Sequence, residues 1–318
     1  MHGVLQVTVV AVGVGLIVRG AEAFAEHLSV AAVRLGVSAF ALAVLLAGAE
    51  PEELATTVTA SLRHAPAIAL GDVIGANIAI CLVALGVGAI LTPLPFSASV
   101  LRYAGFGLPL AAMAAAMAWD GHVSRPQGLF LMGLYGAYIG VIWLAERHPP
   151  VLGETAELAE AAGGNEDGRR RVGKELGLVV AGVAAMATGA VLVVDGVRRL
   201  SHVESTQTRL GLVLVGFATA FELVVLAWSA ARRGMSEAVV AGVVGSFAYN
   251  VTMSLGAGAV ARPLRITGAG QLHGPWIAMI VALVGVLALS LPRRRLDRRA
   301  GLVLLGAYPV VALAVLVR

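Results

Sequence analysis

Long apolar runs follow one another along almost the whole chain, and a polypeptide patterned this way can fold in only one solvent. They lie at 3–25, 28–62, 67–91, 98–118, 127–145, 174–197, 207–231, 236–261, 275–291 and 300–317. A helix needs about 20 apolar residues to cross the hydrocarbon core of a bilayer. The runs are continuous instead of alternating at every second residue, which disfavours a transmembrane barrel. With 58% hydrophobic and 13% charged residues and a mean hydropathy of +0.87, the chain carries more apolar surface than a water-soluble domain can hide. The expectation is an all-α polytopic membrane protein, with about ten transmembrane helices in two inverted five-helix repeats. No run of Lys or Arg precedes the first stretch and no A-x-A site follows it, so it reads as a helix and not as a cleaved signal.

One segment, 146–173, is plainly aqueous. It holds His148-Pro149-Pro150, then Glu154, Glu157, Glu160, Glu166 and Asp167, then Arg169-Arg170-Arg171. It divides the chain into an N-terminal repeat, 1–145, and a C-terminal repeat, 174–318, with a cytoplasmic linker loop between them. With the N-terminus outside, the inner connections hold 14 Lys and Arg residues and the outer ones 8, counted from the 23 present with Arg19 left inside the first helix. Positive charge stays in the cytoplasm, so both termini are expected outside, in a plasma membrane of bacterial type. A pI near 9.7 follows from these short loops and does not call for nucleic acid. A single cysteine, Cys81, excludes an internal disulfide and any cysteine metal cluster.

The two halves repeat each other in sequence. Laying 71–90 over 241–260 matches Val73 with Val243, Gly75 with Gly245, Leu85 with Leu255, Gly86 with Gly256, Gly88 with Gly258 and Ala89 with Ala259, all at an offset of 170. Upstream, the stretch from Gly48 to Leu54 answers to that from Phe217 to Leu223. Five helices per half is an odd number, so the second copy enters the membrane upside down.

Glu53 and Glu222 fall inside long apolar runs at equivalent places. A charged side chain at mid-membrane costs about 2.5–3.5 kcal/mol on insertion scales, so it marks a partner or a cavity. Pro51 removes a backbone donor next to Glu53 and frees a carbonyl there, a ready cation ligand. The bland alternative for each glutamate is an ion pair with an arginine, or a misplaced span boundary that leaves it at the membrane interface. Glu50 and Glu52 either join the site or face water in an entrance. Asp72 and Asn77 in the third run, and Ser246 and Asn250 in the eighth, add oxygens of the kind hard cations prefer. Gly71, Gly75, Gly86 and Gly88 most simply let helices pack closely; a functional reading keeps Gly71 and Gly75 as backbone beside an ion. No HExxH, P-loop or Gly-x-Ser-x-Gly is present, so an enzyme has no chemical foothold and no resident cofactor is expected.

The stretch from Glu53 to Asn77, with Glu53-Leu54, then Ala69-Leu70-Gly71-Asp72-Val73-Ile74-Gly75-Ala76-Asn77, resembles the first alpha repeat of the sodium/calcium exchanger, or cation/calcium antiporter, superfamily. That pattern reads approximately GTSxPEL and, about twenty residues on, ALGN(V/I)(V/I)GSN. The stretch from Phe217 to Gly258 is similar to the second alpha repeat, with one residue inserted between Arg232 and Ser236. The resemblance implies a secondary antiporter that moves Ca²⁺ or another cation against H⁺ or Na⁺ by alternating exposure of one central site. On it, Glu53 and Glu222 match the two family glutamates, Asn77 the asparagine of GSN, and Asn250 the polar position three residues after the second such place. The chain departs from the pattern where the family has Thr-Ser: Ala49-Glu50 and Ala218-Thr219 stand there. Thr219 is thus the one hydroxyl of four that is kept. A Na⁺/H⁺ antiporter and a non-transporting membrane protein of the same fold are the alternatives. The expected partners are inorganic cations and the bilayer.

Overall fold

The computed structural model describes residues 2–34, 50–146, 172–233 and 236–317. Eleven helices follow in order: α1 His2–Arg34, α2 Pro51–Leu62, α3 Pro66–Leu91, α4 Ala98–Met117, α5 Arg125–Glu146, α6 Val172–Leu200, α7 204–219, α8 Phe221–Arg233, α9 236–261, α10 Gly270–Ser290 and α11 Arg298–Val317. Among the described residues, eight of them are long and apolar enough to cross a membrane. Two expected runs differ from a simple span. Of 28–62, residues 35–49 lie outside the described residues and α2 is the remainder. The run 207–231 is broken at Ala220 into α7 and α8. The expected gap between 25 and 28 is absent, because α1 continues to Arg34. His27 Nδ1 there meets Glu175 Oε2 of α6 at 2.7 Å, so the polar residues of α1 need no loop. The segment expected as a cytoplasmic linker lies almost wholly outside the described residues.

Large apolar side chains such as Val4, Leu144 and Val180 stand on the outside of the bundle at 75%, 75% and 67% exposure. Only a lipid surround accommodates that. The helices α3 and α9 are buried along most of their length and form the centre. Each contains one turn of wider π geometry, Ile80–Ala84 in α3 and Asn250–Ser254 in α9, at positions 170 apart. A third π turn, Gly211–Val215, lies in α7.

Local sequence explains the breaks. Proline needs no helical donor at the first position and presets φ, so Pro51 starts α2 and Pro66 starts α3. Between them His64 turns the chain with φ of 59°. Close approach explains the central glycines. A Cβ on Gly71 would fall 2.8 Å from the Thr208 carbonyl, one on Gly75 would strike the Leu212 carbonyl, and one on Gly216 would strike the backbone of α3. Crossing backbone of α7 therefore occupies the space beside Gly71 and Gly75, and packing accounts for both. The same device joins α1 to α6, where a Cβ on Gly13 would lie 2.8 Å from the Gly189 carbonyl and one on Gly20 2.7 Å from the Gly182 carbonyl.

Two short antiparallel ladders close the ends. At one end β1, Leu94–Pro95, pairs with β4, Arg295–Leu296. At the other, β2, His122–Val123, pairs with β3, Leu264–Arg265. Each ladder joins the first half of the chain to the second. The halves interlock, and the core runs through both.

Candidate cation site

Acids stand in the first turn of α2 and of α8. Glu50 is the N-cap of α2, and Glu52 and Glu53 are in its first turn. Glu222 is in the first turn of α8. A helix N-terminus carries a partial positive charge and unpaired N–H groups, which favour carboxylates there. Glu50, Glu52 and Glu53 are all buried, as is Asp72 in the middle of α3. Glu222 is only half-buried, shallower than its sequence position suggested.

Hydroxyls from both halves reach these acids. Thr219 Oγ1 at the end of α7 lies 3.2 Å from Asp72 Oδ1 and 3.1 Å from the Val215 carbonyl, so its single proton serves one or the other. Thr57 Oγ1, one turn after Glu53, lies 3.5 Å from Asp72 Oδ2. Ser246 Oγ of α9 donates to Glu50 Oε1 in a short hydrogen bond. Both oxygens of Glu53 are buried and find no hydrogen-bond donor among the described residues. Asp72, Thr219 and Glu52 are the groups that act on it. The groups that act on Glu50 are Glu52, Ser246, Glu222 and Glu53.

Among the described residues no arginine or lysine acts on Glu50, Glu53 or Asp72. Nor does any of the three form an ion pair among the described residues. For these acids the arginine alternative is set aside. Buried carboxylates that are both clustered and without a cationic side chain must be neutralised, by a proton or by a metal cation.

The amide residues Asn77 and Asn250 are fully buried. Asn77 Nδ2 faces the Met279 sulfur of α10 at 3.8 Å. Its Oδ1 is buried without a partner among the described residues, as are both side-chain polar atoms of Asn250, which opens the π turn of α9. Among the described residues no three His, Cys, Asp or Glu side chains are placed to hold a metal ion by themselves. A cation held here needs the neutral oxygens as well.

Sequence reasoning missed Thr57, Tyr249 and Tyr135. Thr57 lies four residues after Glu53 and so shares its helix face, a signal that was present. Tyr249 is buried and within electrostatic reach of Glu50, Glu52 and Glu53. Its ring meets that of Tyr135 edge-on at 5.2 Å. The approach of α5 that creates this pair leaves no trace in the sequence. The acids are also unevenly shared: Gly242 stands 170 residues after Asp72, so the second half has no counterpart to it.

The family model described as sodium/calcium exchanger protein matches residues 5–144 and 174–317. The uncharacterized membrane protein MJ0091 of Methanocaldococcus jannaschii is 26% identical over 298 residues, covering 93% of this chain and 91% of its own length. The inner membrane protein YrbG of Escherichia coli is 25% identical, with 98% of this chain and 97% of the relative covered. In fold, the chain is similar to the sodium-calcium exchanger NCX_Mj soaked with Na⁺ and Sr²⁺, at a TM-score of 0.60 and 22% identity, over 98% of both chains.

Proposed function

The chain belongs to the sodium/calcium exchanger protein family, and from that premise we propose that it is a secondary antiporter exchanging Ca²⁺ for H⁺ at the cluster around Glu53. The observation that carries the reading is a group of buried carboxylates, Glu50, Glu53 and Asp72, with no basic partner among the described residues. Glu53 and Glu222 supply the charge that a divalent cation neutralises. Asp72, Glu50 and Glu52 enlarge that charge, and Thr219, Ser246, Asn77 and Asn250 supply neutral oxygens. The two halves act as inverted repeats about this site, with 146–173 in the cytoplasm and both termini outside a bacterial plasma membrane.

The choice of H⁺ rests on what the site lacks. A sodium-coupled exchanger replaces the water around each Na⁺ with several neutral oxygens. Here Ala49, Glu50 and Ala218 offer no hydroxyl, and the one kept, on Thr219, is within reach of Asp72. Crowded carboxylates take up protons readily, because like charges at close range disfavour joint ionisation. When the metal leaves, protons replace its charge, and the site crosses back without a net buried charge.

Ca²⁺ uptake into proteoliposomes, with either a pH gradient or a Na⁺ gradient imposed, tests the reading. We expect uptake under the pH gradient, abolished in Glu53→Gln and in Glu222→Gln although both variants elute as folded protein. Normal uptake by either variant removes that glutamate from the site. Uptake driven by Na⁺ and indifferent to pH replaces H⁺ as the counter-ion.

A further inference from the structure

The end of the molecule that carries β2 and β3 has a cup of about 640 Å³, lined by Ser61, His64, Arg125, Arg262 and Arg265 among others. Among the described residues no acidic side chain lines it. Arg125, Arg262 and Arg265 form no ion pair among the described residues. Asp120, on the adjoining turn, accepts the backbone N–H of His122 at 3.0 Å. Arg262 Nη1 donates to His64 Nε2 at 2.7 Å, so a guanidinium is held directly against an imidazole. His64 keeps its place at the rim with φ of 59°, a conformation side chains rarely adopt and one that collects at binding sites.

The recurrence of the fold provides an internal control for these arginines. Arg125 Nε donates to the Val260 carbonyl at 3.1 Å, and at the opposite end Arg298 Nε donates to the Ile90 carbonyl at 2.8 Å. Ile90 and Val260 are 170 residues apart, so the two bonds are equivalent and Arg125 serves the fold. Arg262 and Arg265 are different. Their equivalents are Thr92 and Pro95. Thr92 caps its helix at φ −146° and ψ 145°, and Arg262 does so at φ −153° and ψ 129°. Pro95 and Arg265 are each the second residue of a ladder strand. The same backbone is built at the other end without either arginine.

We propose that the cup is a binding site for a phosphate-type oxyanion, held between the guanidinium groups of Arg262 and Arg265 with His64 beside it. A guanidinium presents its donors as a planar fork that matches phosphate oxygens in pairs. Since the cup opens where helices leave the bilayer, the phosphate is either free in solution or the headgroup of an anionic lipid. Its position gives it a consequence for transport. Ser61 lines the cup, and Thr57, which contacts Asp72, is one helical turn deeper on α2. An oxyanion there cancels the positive charge that otherwise repels a cation at this mouth.

The test uses the full chain and reads binding, not flux, so its outcome is independent of which cations are exchanged. In detergent, inorganic phosphate is titrated against thermal unfolding, with chloride at matched ionic strength as the control. In nanodiscs, retention of phosphatidylglycerol over phosphatidylcholine is read by native mass spectrometry. We expect the unmodified protein to respond in at least one arm. In Arg262→Gln/Arg265→Gln the affinity should fall by about tenfold or more, the loss of one charge-assisted pair. Arg298→Gln, at the opposite end, should leave the affinity unchanged. A response to phosphatidylglycerol alone assigns the site to a headgroup, and a response to phosphate assigns it to the free ion. If the double variant does not fold, Arg265→Gln alone, at an exposed position, should show the same loss. Equal binding by the unmodified protein and the folded variant in both arms, or none by either, overturns the proposal.

Discussion

Asn250 brings two donors and two acceptors into the interior, and neither of its side-chain polar atoms meets a partner among the described residues. A buried amide left unpaired costs about 1–3 kcal/mol, so a residue serving packing alone would be better as leucine. Asn250→Leu should therefore raise the unfolding temperature in detergent and lower Ca²⁺ exchange by about tenfold, the worth of one ligand at roughly 1.4 kcal/mol. A variant that is more stable and exchanges normally takes Asn250 out of the site. The residues that could be found from sequence were those whose chemistry conflicts with their surroundings. Glu53 and Asp72 stand out because a carboxylate in an apolar run has no ordinary explanation. The half-exposure of Glu222 could not be read, because it depends on which elements pack over the start of α8. Tyr249 looked like any apolar residue until its neighbours were known.

At the scale of the element, the start of α2 was announced by Pro51, while the break at Ala220 has no proline to announce it. Counted from the first helical residue, Pro51 against Phe221, Glu222 stands level with Glu52. The Glu-Leu motif alone pairs it with Glu53. Sequence could not settle this register, since helix starts come from tertiary packing as well as from propensity. The π turns were equally hidden, yet Gly71 and Gly75 beside the α7 crossing were visible as small residues in an apolar run. Gly75→Val places its first carbon on the Leu212 carbonyl, and overpacking of this kind costs about 1–3 kcal/mol or more. We expect a lowered unfolding temperature and loss of exchange together, whereas Gly133→Ala, with nothing within 4 Å, should change neither. Unaltered unfolding of Gly75→Val would show that α3 and α7 do not meet as closely as 71–75 and 208–216 indicate.

For the molecule as a whole, the repeat at an offset of 170 was legible because identities accumulate along a constant register. The manner in which the halves join was not legible. Neither ladder is formed within one half, since β1 pairs with β4 and β2 with β3. Two-residue strands carry no pattern that names a partner. A chain ending at 146 leaves β1 and β2 with unpaired edges and strips the apolar faces of α3 and α5, so neither half should fold alone. Expressed together as 1–146 and 172–318, the halves should co-purify and regain exchange, and a stable monomeric half in detergent would contradict the interlocked core. The uneven sharing of acids between the halves has a further consequence. Where alternating access exchanges the surroundings of two matched halves, a perfect duplicate has inward-open and outward-open forms of equal energy. Asp72 faces Thr219 across the centre while Gly242 carries no side chain to answer it, so on the function proposed above the two forms would hold the same cation with unequal grip. Ion gradients would still set the direction of net movement, but on that proposal the inequality would give the carrier a resting side, a kinetic polarity written into one position of a nearly symmetrical frame.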